Sequence, residues 1–109
     1  QYFIEAKNLG AKNWNKSNGA IVDTDRQRRR YIETGIDNFI SGKYSNGCLT
    51  GYILNGETDI IVGQLNTLLT KHNRSEEGLF KPKERMFNFD SCYFSSHSTM
   101  NLLHIMLKF

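Results

Sequence analysis

Apolar and polar positions alternate with period two near both ends of the chain and recur three and four apart in two stretches between, a pattern of strands enclosing helices. Tyr2, Ile4 and Ala6 alternate with Phe3, Glu5 and Lys7, and the turn-rich Asn8-Leu9-Gly10 follows, so residues 2–7 are predicted to form a strand. Residues 11–19, rich in Lys, Asn, Ser and Gly, read as an exposed loop despite Trp14. Ile32, Ile36, Phe39 and Ile40 have helical spacing, Asp23, Thr24 and Asp25 can cap it, and Gly42 can stop it, which predicts a helix over 25–41. A strand over 48–54 is bounded by Asn46-Gly47 and Asn55-Gly56. Ile61, Leu65, Leu68 and Leu69 mark a second helix, with Glu57 and Asp59 in its first turn, Lys71 and His72 in its last, and an end near Asn73.

Residues 74–85 form a charged segment holding Pro82, and two strands are expected beyond it, around 86–94 and 101–109. In the last, Leu103, Ile105, Leu107 and Phe109 alternate with His104, Met106 and Lys108, which fits a strand with one better-buried face. The order strand, helix, strand, helix, strand, strand predicts an α/β (α+β) fold with a central sheet, in one domain over 1–109.

Composition narrows the class. An apolar fraction of 39% with 23% charged residues can build a core and is unlike a disordered chain. No stretch has the length of a membrane span and no leader pattern opens the chain, so no membrane partner and a cytoplasmic location are the expectation. Cys48 and Cys92 sit in apolar, strand-like surroundings and are expected to be buried reduced thiols. A net charge of +3 permits a polyanionic partner, and the distribution is more telling than the sum. Lys7, Lys12, Lys16, Arg26, Arg28, Arg29 and Arg30 crowd the first thirty residues, against Glu5, Asp23 and Asp25.

Glu5 and Lys7 lie two apart on a strand, so both side chains leave the same face, about 7 Å apart along the chain. A carboxylate there can bind Mg²⁺ or Mn²⁺, the carbonyl of Ala6 can add a second hard oxygen, and the Lys7 ammonium can orient water or offset charge on phosphate. The same pair is also explicable as a sheet-edge ion pair. Gln27 and Tyr31 are four apart near the start of the first helix and share a face. Gln27 could contact a nucleotide, and Tyr31 could place a phosphate or fill the core with its hydroxyl at the rim. Arg28, Arg29 and Arg30 oppose the helix dipole, for which phosphate contact or solvation would compensate.

The strand Tyr2 to Lys7, with E-x-K at Glu5-Ala6-Lys7, and the following helix, with Q-x-x-x-Y at Gln27 to Tyr31, resemble the PD-(D/E)xK restriction-endonuclease-like superfamily, in particular its RecB-like branch. The likeness covers roughly residues 1–55 and is similar to the second half of that superfamily's αβββαβ core. It implies a mixed central sheet flanked by helices and incomplete at its N-terminal side. It also implies Mg²⁺ (or Mn²⁺)-dependent hydrolysis of DNA, of the restriction or phage-defence kind. Glu5 and the Ala6 carbonyl would hold the metal, Lys7 would orient the attacking water, and Gln27 and Tyr31 would support the site. Lys12, Lys16, Arg26, Arg28, Arg29 and Arg30 would meet the DNA backbone. The family's further acid, on the strand preceding E-x-K, is expected from a longer chain, from a homodimer or partner chain, or from a migrated residue among Asp23, Asp25, Glu33 and Asp37.

The alternative function is a noncatalytic nucleic-acid-binding or assembly module, in which exposed strand edges could pair with a partner. Cys92, His97 and His104 are spaced C-x₄-H-x₆-H, which matches no familiar zinc finger, and His97 in Ser95-Ser96-His97-Ser98 reads as a solvent-exposed loop histidine. Gly51 reads as a concession to close packing rather than part of a phosphate loop.

Overall fold

The alternating segment at the start of the chain forms strand β1 (Phe3–Gly10), running past its predicted end at Lys7. The computed structural model describes residues 2–43, 47–81 and 91–108. The stretch expected to be a loop contains a small hairpin instead, β2 (Trp14–Asn15) paired antiparallel with β3 (Ile21–Val22). Two anchors make it regular. Trp14 packs against Gly10, where a Cβ would lie 2.9 Å from the indole, and the Asn55 side chain both accepts from the Lys12 N–H and donates to its carbonyl.

The Asp23 carboxylate caps the first helix by accepting from the N–H groups of Asp25 and Arg26. The helical run is α1 (Thr24–Arg30), a π-helical turn (Tyr31–Ile36) and α2 (Asp37–Ile40), matching the predicted range but not the predicted regularity. At the end of the π turn the Asp37 N–H donates to the Ile32 carbonyl, five residues back. The wider turn keeps Tyr31, Ile32, Gly35 and Ile36 all buried. β4 (Gly47–Asn55) follows, then α3 (Thr58–Lys71), which ends in a left-handed Asn73 with φ 60°. A 3₁₀ turn (Ser75–Glu77) leads towards β5 (Cys92–Ser96) and β6 (Asn101–Lys108). The predicted strand over 86–94 is described from 91 onward, and 82–90 lie outside the described residues.

The strands form a mixed sheet in the order β1-β4-β6-β5, with β1, β4 and β6 parallel and β5 antiparallel to β6. Mixed α/β architecture with a central sheet is therefore correct. The helices cover one face, where Leu9, Leu49, Ile53, Leu102 and Met106 meet Tyr31, Ile32, Ile36, Phe39, Ile61, Leu65 and Leu69 in a single cluster. Gly51 sits in this packing, and a Cβ there would lie 2.6 Å from the Met106 sulfur and 2.8 Å from a Leu9 methyl, which explains the missing side chain. Cys48 and Cys92 are buried free thiols, as expected. No helix among the described residues is long and apolar enough to cross a membrane.

The last strand corrects its pattern. Leu102, His104 and Met106 face the helices and are fully buried, whereas Leu103 and Ile105 are half-buried and Leu107 is 40% exposed. A histidine on the core side disguised the inward face as the polar one. Its burial is tolerated because both ring nitrogens are hydrogen-bonded.

Candidate functional site

Glu5 and Lys7 leave the same face of β1, the face turned towards the helices. Their side chains are 27% and 12% exposed, and Lys7 Nζ lies 3.1 Å from Glu5 Oε1. β1 pairs with β4 in parallel, so Glu5 lies beside Leu49 and Lys7 beside Gly51. Ala6 points to the other face, with its carbonyl in the plane of the sheet.

The candidate substitute acids are placed elsewhere. Asp23 caps α1, Asp25 pairs with Arg28, Asp37 pairs with Arg74 at 2.7 Å, and Glu33 is exposed. Among the described residues no group of three His, Cys, Asp or Glu side chains is arranged to hold a metal ion. Glu5 suits a hard divalent cation as one ligand, and the described residues do not complete an acidic set around it.

Gln27 is half-buried on α1, one turn before Tyr31. Tyr31 has no exposure at all. Its hydroxyl lies 2.8 Å from His104 Nδ1, and the two rings stack with centroids 5.8 Å apart. Burial and the neighbouring Cys48 thiol hold its phenol well above the ordinary tyrosine value. Of the two readings open from sequence, the tyrosine follows the core one, with its hydroxyl inside the fold.

The basic residues divide. Lys12, Lys16, Arg26, Arg29 and Arg30 are exposed. Arg28 is an internal strut: its guanidinium donates to the Gly10 carbonyl (3.5 Å), Thr24 Oγ1 (3.3 Å) and Gln64 Oε1 (3.2 Å), and it pairs with Asp25. Thr24 reinforces the same junction by donating its hydroxyl to Gly10. Arg29 lines a cleft between α1 and α3 together with Asp25, Asp59, Gln64 and Lys71, so the groove carries both signs of charge.

Sequence reasoning missed a chain of buried, hydrogen-bonded polar side chains. Its expectation of an exposed His97 is corrected: the side chain is 1% exposed, with Nε2 2.6 Å from Ser95 Oγ and Nδ1 2.6 Å from Glu77 Oε1. Ser95 Oγ is also 2.7 Å from His104 Nε2. Arg74 donates to Glu77 (2.6 Å) and to Asp37 (2.7 Å). The Arg74 and His97 hydrogen bonds hold the Glu77 carboxyl down at about 2, and burial pushes His104 down to about 3. The available signal was alternation: Ser95, Leu102 and His104 fall on the same face as Tyr93, while Cys92 faces the other way, which separates it from both histidines.

Compared with protein-family models, with curated proteins and with solved structures, the chain has no significant match in any of the three.

Proposed function

We propose that this chain carries the Glu5–Lys7 part of a metal-dependent phosphodiesterase site acting on DNA. The observation that carries the reading is the partly buried, same-face pair on β1, held under the helix that bears Gln27 and beside the parallel strand β4. Glu5 would hold Mg²⁺ or Mn²⁺ together with an acid from outside the described residues, and the metal would supply Lewis-acid charge at the phosphate. A single ammonium at 12% exposure is screened less than a surface lysine, so Lys7 can orient water or offset charge developing on a phosphoryl oxygen. The exposed Lys12, Lys16, Arg26, Arg29 and Arg30 would hold the DNA backbone.

Cleavage of supercoiled DNA with Mg²⁺ or Mn²⁺ tests this. Lys7→Ala is expected to lower the single-turnover rate at least about a hundredfold while changing DNA affinity by no more than about twofold. Undiminished cutting by the variant, or an equal loss of binding, would overturn the assignment of Lys7.

The second reading is a noncatalytic nucleic-acid-binding module, favoured by the lack, among the described residues, of a group of three or more His, Cys, Asp or Glu side chains that could hold a metal ion. Binding would then be indifferent to Mg²⁺, and removing Arg29 and Arg30 together is expected to reduce the slope of log affinity against log salt by about 1.8. An unchanged slope would remove those two arginines from the interface. Arg28 is the wrong probe, since its loss would also undo the Gly10–Thr24–Gln64 junction.

A further inference from the structure

We infer that Glu77, His97, Ser95, His104 and Tyr31 form one proton-ordered relay, with its direction dictated from the Glu77 end, and that this relay and Arg74 together clamp the π turn at both ends. The clamp is a conformational device of the fold. It stands whether or not the chain cleaves DNA.

The direction follows from counting protons. An ionised carboxylate only accepts, so His97 Nδ1 must carry a proton and donate to Glu77 Oε1, and with that one proton on the ring Nε2 is an acceptor. Ser95 Oγ has one proton, which must go to His97 Nε2, so Ser95 has to accept from its other neighbour. His104 is neutral, and its Nε2–H supplies that bond. Nδ1 of His104 is then the acceptor for the Tyr31 hydroxyl. Every proton has one acceptor, and among the described residues no buried side-chain polar atom lacks a partner. The opposite direction would need protons on both ring nitrogens of His97, and it would end with Tyr31 accepting from His104 and its own hydroxyl proton without an acceptor among the described residues.

Ser95–His97–Glu77 has the order of a hydrolase triad, but Ser95 is fully buried and its oxygen is already the acceptor for His104. No substrate can reach it. The relay instead joins three separate segments: the 3₁₀ turn at Glu77, the β5–β6 hairpin, and Tyr31 at the first position of the π turn. Glu77 also binds Arg74, and Arg74 binds Asp37, the residue that closes the same π turn. Both ends of the widened turn therefore lead back to Glu77, and the extra residue it accommodates sets the rotational phase between α1 and α2.

Nitrogen-15 spectroscopy of the imidazoles in the full chain at neutral pH is the test. His97 is expected as the Nδ1–H tautomer and His104 as the Nε2–H tautomer, and the reverse at either ring overturns the relay. Glu77→Gln replaces an obligate acceptor with an amide that can donate or accept. His104, which does not touch residue 77, should then show a second tautomer, and protection of the Asp37 amide from exchange should fall at least about tenfold relative to α3. A folded variant with both unchanged overturns the inference. If Glu77→Gln does not fold, Tyr31→Phe removes the far end only: His97 should keep Nδ1–H while the His104 resonances move. A change of tautomer at His97 in that variant would contradict control from Glu77.

Discussion

Replacing His104 with Leu is expected to destabilise the fold by about 3 kcal/mol, although the new side chain is similar in size and more apolar. The loss would come from what the imidazole leaves behind. Tyr31 has no exposure, so its hydroxyl would face apolar neighbours with neither water nor a partner, at a cost of about 1–3 kcal/mol. Ser95 would keep His97 but lose its second bond. Adding Tyr31→Phe removes the stranded hydroxyl and is expected to recover about 1–2 kcal/mol, a coupling that urea denaturation of the two single variants and the double variant would measure. Strictly additive effects would mean that the Tyr31–His104 bond contributes nothing, and the relay would then end at His104.

The framework of the fold was legible because most of its elements bury one face against one partner layer. The spacing of Ile32, Ile36 and Phe39 and of Ile61, Leu65 and Leu69 marks helices that the structure contains, and all six side chains lie in the core. The same logic placed Glu5 and Lys7 together on β1. It failed where a polar side chain is buried and satisfied. Periodicity treats histidine and serine as outward residues, so by pattern alone the face of β6 carrying His104 reads as the wet one and His97 as a loop residue in solvent, whereas both side chains are buried. Partners at separations of 9, 20 and 73 residues supply the compensation, and no local pattern records them. The π turn was hidden for a related reason. One additional residue in a turn leaves the apolar spacing within helical tolerance, and the bonds that secure the turn come from Glu77 and Arg74, far along the chain.

Acid should unfold the protein well before its carboxylates are all protonated, with stability declining from about pH 6.5 downward. In the unfolded chain His104 binds a proton near its ordinary value of 6.5, whereas in the fold it stays neutral down to about 3. Between those limits the unfolded state holds more protons, so each fall of one pH unit favours it by up to about 1.4 kcal/mol, or about 5 kcal/mol across the window. Glu77 acts with the same sign at lower pH. Its carboxyl is held at about 2 by Arg74 and His97 against an ordinary 4.5, so the stability it contributes is complete above 4.5 and is lost as pH falls towards 2, by about 3 kcal/mol at most. Since a domain of this size has a total stability of about 5–15 kcal/mol, the acid transition is expected between about pH 3 and pH 5. Urea midpoints measured from pH 8 to pH 4 would show it. A midpoint that stays level between pH 6.5 and pH 4.5 would mean that His104 takes up its proton inside the fold, and the direction assigned to the relay would fail with it. The Tyr31→Phe/His104→Leu double variant isolates the source, because it should lose the slope between pH 6.5 and 4.5 while retaining the loss that Glu77 produces below it.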